Sequence, residues 1–182
     1  MTVTTVGLTL AAASGASAAT VFGFQDAYDP INWTFTNSNA DGFVNTGGAP
    51  ASISLTGGDN GSGDFGTTDY TTTAAAAGTV TFDWNYSTAD VSAFWDPFGY
   101  LLNGSFIQVT DDVGGVVQNG TSTFNVLAGD SFGFRIFTID NTSGRASVTI
   151  SNFSAPIPEP STVLSLLVLG GLGAGLKYLK RN

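Results

Sequence analysis

From Thr79 to Tyr86 the chain reads TVTFDWNY, polar and apolar residues in strict alternation, which puts Val80, Phe82, Trp84 and Tyr86 on one face of an extended strand. Weaker alternation marks strands at Ile31 to Thr36, Ile53 to Thr56, Gly104 to Thr110, Ser122 to Leu127, Ser131 to Ile139 and Arg145 to Phe153. Within Ser131 to Ile139 the apolar face switches from Phe132, Phe134 and Ile136 to Phe137 and Ile139, which predicts a β-bulge or a strand end buried on both sides. Turn sequences separate the runs, among them Asn37 to Gly42, Gly57 to Asp64 and Asp111 to Gly115. The expectation is an all-β domain, an antiparallel β-sandwich of jelly-roll type, with a closed barrel as the competing architecture.

The two ends break this pattern. Val6 to Ala13 is apolar and leads into Ala16-Ser17-Ala18-Ala19, which fits a signal-peptidase site with cleavage near Ala18. No Lys or Arg precedes Arg135, so the signal is expected to start further upstream than Met1. At the other end, Thr162 to Leu179 is an apolar run long enough for a single transmembrane helix if Lys177 snorkels, since each residue adds about 1.5 Å. Pro156, Pro158 and Pro160 make a stiff spacer before it, and Lys177, Lys180 and Arg181 form a basic end that the positive-inside rule places in the cytoplasm. The predicted organisation is therefore a signal peptide over 1–18, a β-sandwich over 19–155 and an anchoring tail over 156–182.

Charge and composition then narrow the chemistry. Between Ala19 and Ala155 there are 13 Asp, no Glu or Lys, and only Arg135 and Arg145, a net charge of −11. Such a surface repels phosphate backbones, which excludes nucleic acid as a partner. The chain has no Cys and no His, so thiol nucleophiles, imidazole bases and the usual zinc ligands are absent.

What remains is Asp, aromatic and hydroxyl chemistry. A pair of carboxylates can hydrolyse a glycosidic bond, which makes Asp83, Asp90 and Asp96 the candidates for an Asp-dependent glycoside hydrolase, the least favoured reading. Loop carboxylates at Asp59, Asp64, Asp111 and Asp112 are candidate calcium ligands, although neither loop has the EF-hand spacing and solubilising turn residues explain them as well. Phe94-Trp95-Asp96-Pro97-Phe98-Gly99-Tyr100 offers a candidate aromatic platform for sugar rings at Trp95, Phe98 and Tyr100, with core plugs as the alternative. Several N-x-[ST] sequons, including Asn85-Tyr86-Ser87, Asn119-Gly120-Thr121 and Asn152-Phe153-Ser154, carry meaning only in a host that glycosylates exported proteins.

Pro158-Glu159-Pro160-Ser161-Thr162, followed by a Gly-rich apolar run and a basic end, resembles the PEP-CTERM sorting signal of exported bacterial proteins. The resemblance implies an exosortase-type processing enzyme as partner, cleavage near the Pro158, Glu159, Pro160, Ser161 segment, and a bacterium that makes extracellular polysaccharide. The stretches Gly58 to Gly63, Gly78 to Trp84 and Asp96 to Gly104 also resemble the Gly/Asp/Thr-rich sandwich domains of cyanobacterial-type proteins with such tails. The reading from sequence is thus an exported, non-enzymatic cell-envelope or extracellular-matrix protein, held in the membrane and then released to the cell surface or medium. It carries no required cofactor and is associated with polysaccharide. A glycan- or calcium-binding adhesion module is the alternative.

Overall fold

The computed structural model describes residues 18–159. The predicted signal segment through residue 17 and the tail from residue 160, with its apolar run and basic end, lie outside the described residues. Among the described residues no helix is long and apolar enough to cross a membrane.

Two antiparallel sheets pack face to face. The strands are β1 (Ala19–Phe22), β2 (Thr34–Ser38), β3 (Phe43–Asn45), β4 (Ser52–Thr56), β5 (Gly66–Thr73), β6 (Gly78–Thr88), β7 (Phe98–Leu102), β8 (Ser105–Gln108), β9 (Val117–Val126), β10 (Ser131–Thr138) and β11 (Ala146–Ile157). One sheet runs β3-β4-β11-β6-β9, with β1 pairing the far end of β11, and the other runs β2-β5-β10-β7-β8. From β4 onward every connection except the β7–β8 hairpin crosses between the sheets, the connectivity of a jelly roll. Among the described residues no strand pair bridges the two sheets, so the architecture is a sandwich and not a closed barrel.

The alternation at β6 places its residues as predicted, with Val80, Phe82 and Tyr86 fully buried. Across the core stand Phe132, Phe134 and Ile136 of β10. Trp33 fills the middle, stacked on Tyr70 at 4.9 Å and Phe134 at 5.5 Å, with its Nε1 donating to the Tyr28 carbonyl at 3.0 Å. Each large apolar side chain sealed this way contributes about 1.5–3 kcal/mol.

Three expectations change. The segment at Ile31 is a 3₁₀ turn, Pro30–Asn32, because Asp29 accepts from the Ile31 N–H and proline starts the turn; β2 begins only at Thr34. The face switch in β10 is no bulge, since its register against β5 is unbroken from Ser131 to Thr138; Phe137 lies on the outer side under the ring of Phe65, 6.1 Å away. The irregularity lies in β11, between Ser151 and Ser154, where Asn152 has φ +47°. The last strand also runs to Ile157, and the Pro156 carbonyl accepts from the buried Tyr28 hydroxyl, so the sandwich extends past residue 155.

Candidate functional site

The outward-facing positions of the six-stranded sheet carry hydroxyls and carboxamides almost without interruption. Because directly opposed residues of antiparallel strands share a face, the register aligns them in rows. One row is Asn45, Ser54, Thr149, Asn85 and Asn119; the next is Ser52, Ser151, Asp83 and Thr121; a third is Phe22, Ser154, Thr81 and Thr123. Asp83 is the only charged side chain in these rows, on a domain of net charge −11. Phe22, 71% exposed, stands at the β1 end of the face, and Phe43, 53% exposed, at the β3 edge.

Among the described residues, shallow depressions mark this surface. One of about 470 Å³ lies between Phe22, Pro50, Ala51, Asn152 and Ser154. A second of about 330 Å³ is lined by Asp83, Asn85, Asn119, Thr121 and Ser151, and a third of about 210 Å³ by Asn45, Ser52, Ser54 and Thr149. Asn152 joins the first two. The left-handed turn at the β11 bulge swings its side chain across the strand, where Nδ2 donates to Asp83 Oδ2 at 2.7 Å while Thr121 Oγ1 donates to Asp83 Oδ1 at 2.5 Å. These two donors hold the Asp83 carboxyl below the usual carboxylate range, so it stays ionised and accepts hydrogen bonds.

The predicted site residues fall elsewhere or apart. Phe98 is fully buried and tilted against Trp84 at 6.0 Å, a core plug and not a sugar platform. Tyr100 faces inward too, stacked on Phe124 at 4.3 Å, whereas Trp95 lies in the 3₁₀ turn Ala93–Trp95 beside Phe94. The three rings therefore share no surface. Asp90 and Asp96 are buried at one end of the sandwich, 6% and 1% exposed, while Asp83 is on the outer sheet face, so the trio forms no open carboxylate pair. Asp96 accepts from Thr88 at 2.9 Å and Thr138 at 2.9 Å. Burial pushes its carboxyl up to about 6 against those two donors, with Asp90 and Asp140 adding to the rise.

Of the calcium candidates, Asp111 and Asp112 have their carboxylates held in turns: Asp111 Oδ1 accepts from the Val113 N–H and Asp112 Oδ1 from Gln108. Asp59 and Asp64 are held through their backbone, the Asp59 N–H donating to Asp41 and the Asp64 carbonyl accepting from Asn141. Among the described residues no three acidic side chains converge as a metal site. Pro158 and Glu159 end the described segment without strand structure.

Sequence reasoning missed Phe22, Asn152 and the ladder on β9. A signal was present: Asp83 and Asn85 are the polar half of the clearest alternation, and Asn85, Asn119 and Asn152 each head a sequon that the sheet brings to one face.

No protein-family model matches the chain, and no curated protein sequence does. Among solved structures it is similar to the family 11 carbohydrate-binding module of a Clostridium thermocellum cellulosomal cellulase, with TM-score 0.41, 12% identity, and 80% of this chain and 96% of that one covered. It is also similar to a family 35 carbohydrate-binding module from Clostridium thermocellum, with TM-score 0.38, 12% identity, and 73% and 98% covered. A third is the enzymatically active domain of tailspike protein 4 of bacteriophage CBA120, with TM-score 0.38, 13% identity, and 71% and 20% covered. Likenesses this distant decide nothing about activity, and the chemistry of the sheet face has to speak for itself.

Proposed function

We propose that this chain is an exported, non-enzymatic module whose six-stranded sheet binds a neutral polysaccharide across its outer face. The observation that supports this reading is the contrast in charge: a broad face of hydroxyl and carboxamide groups with one carboxylate, on an otherwise strongly acidic domain. Polyhydroxylated chains match a surface of mixed donors and acceptors, and an acidic polymer would be repelled by the rest of the molecule. Phe22 supplies the flat apolar patch on which a pyranose ring stacks, and Asp83, held ionised by Asn152 and Thr121, accepts from sugar hydroxyls.

Affinity electrophoresis through gels containing mixed-linkage β-glucan, xylan or polygalacturonate tests the reading. A neutral polymer should retard the protein, and Phe22→Ala or Asp83→Ala should each weaken retardation at least tenfold in protein that remains folded. Trp95→Ala should behave as the native protein. Retardation by none of the neutral polymers, or indifference to both substitutions, would refute it.

The sorting part of the proposal rests on the tail sequence. Recognition of Pro158-Glu159-Pro160 by an exosortase-type enzyme would turn a membrane-held chain into a surface or extracellular one. Intact mass of protein recovered from the cell surface checks this: a C-terminus near Pro158 to Ser161 supports processing, and a chain running through Asn182 in membranes makes it a plain anchor.

A further inference from the structure

We infer that β9 is a self-association edge, pairing antiparallel with β9 of a second copy of this chain to continue the six-stranded sheet across a twofold axis. Among the described residues β9 has a hydrogen-bonded neighbour on one side only, β6. The Thr88 N–H donates to the Val116 carbonyl, so even-numbered residues of β9 turn their backbone groups toward β6. By the alternation of an antiparallel ladder, Val117, Asn119, Thr121, Thr123 and Asn125 turn theirs outward.

Sheet edges are ordinarily blunted by shortness, charge, proline or bulges. The other edges among the described residues are short: β3 has 3 residues, β1 and β8 have 4 each and β2 has 5. β9 has 10, in unbroken register with β6, and from Val116 to Leu127 it contains no charge and no proline. Two copies of so acidic a domain repel at most approaches, and this strip adds no charge of its own to that repulsion.

The strand is also self-complementary. An axis through Ser122 sets Thr121 opposite Thr123, Asn119 opposite Asn125, and Val117 opposite Leu127 of the other copy. Val117 and Leu127 are 65% and 69% exposed, so the pairing covers an apolar side chain at each end. Across the middle of the seam the two Asp83 groups are three strand spacings apart, about 14 Å, beyond the screening length of roughly 8–10 Å; Asp130, which accepts from the Leu127 N–H, and Asp111, whose N–H donates to Gln118, lie at the two ends of the seam.

The test uses the absence of cysteine from the chain. Ser122→Cys places one thiol at the axis, where opposed Cα atoms about 4.5 Å apart lie within disulfide range. Mild oxidation of the full chain in detergent should give mostly disulfide-linked dimer. Adding Thr123→Pro, whose lost N–H points away from β6, should cut the dimer at least tenfold while leaving the melting temperature in place. If that proline unfolds the protein, Thr123→Lys serves instead, placing like charges beside the axis. A Ser122→Cys chain that stays monomeric on oxidation, or dimer that persists in the folded Thr123 variants, overturns the proposal. A β9 edge used by a different protein's strand would give the first of these results.

Discussion

At the buried end of the sandwich Asp96 binds two strand ends at once, through Thr88 of β6 and Thr138 of β10, and its carbonyl accepts from Tyr86 at 2.9 Å. Its carboxyl is raised from 3.8 to about 6, so the protonated form is favoured in the folded state. Stability from this group is complete below about pH 4 and declines as pH rises through about 6. Two pKa units at about 1.4 kcal/mol each set the scale of the loss at roughly 3 kcal/mol. Asp41, Asp83 and Asp130 have lowered values, so their contributions vanish only at still lower pH. Thermal melts should therefore show a decline between about pH 4 and 6.5 that levels off above it, and Asp96→Asn should flatten it. No alignment is needed to find Asp96 in the sequence, yet nothing in WDPF says that the carboxylate is sealed behind two threonines from distant strands.

Among the elements, β6 was readable from its alternation alone, whereas β5 was not, and the reason is chemical. Its inward positions are Thr68, Tyr70 and Thr72, with Thr68 0% exposed, so the apolar signal is missing on the face that enters the core. Thr68 Oγ1 donates to Asn37 Oδ1 and Thr72 Oγ1 to the Asn32 carbonyl, satisfying each hydroxyl inside. The outer face of the six-stranded sheet was half legible: Asp83 and Asn85 stood out as polar positions, but rows formed by β11, β6 and β9 depend on register. β9 and β6 also fit through a glycine. At Gly120 an added Cβ would lie 2.9 Å from Trp84 Cζ2, so Gly120→Ala must displace a large buried ring. We expect that substitution to cost about 1–3 kcal/mol in urea denaturation, without the loss of slope that unfolding of the native state would bring.

For the whole molecule, composition spoke accurately about class and poorly about place. Four of the thirteen aspartates, Asp59, Asp64, Asp111 and Asp112, were candidate calcium ligands beside their reading as turn residues, and among the described residues the fold keeps them in separate turns while Asp69 and Asp41 pair with Arg135 and Arg145. The expectation is that millimolar calcium or EDTA leaves the melting temperature unchanged, because a ligand that binds only the native state must raise it. A clear rise would return the loop carboxylates to consideration.

β11 joins what the rest of the fold keeps apart. Its bulge presents Asn152 to the sheet face, its end at Ile157 lies beside Ala19, and it is flanked by β4 along one side and β6 along the other. A pull applied at Ile157 and resisted by a glycan held near Asn152 runs along this one strand. The load is then carried by the covalent chain between Asn152 and Ile157 and leaves the pairing with β4, over Ser147 to Ser151, outside its path. Single-molecule pulling from residue 157 against immobilised glycan should therefore rupture the sugar contact before the sandwich. Pulling residue 19 against residue 157 should open β1 from β11 at much lower force.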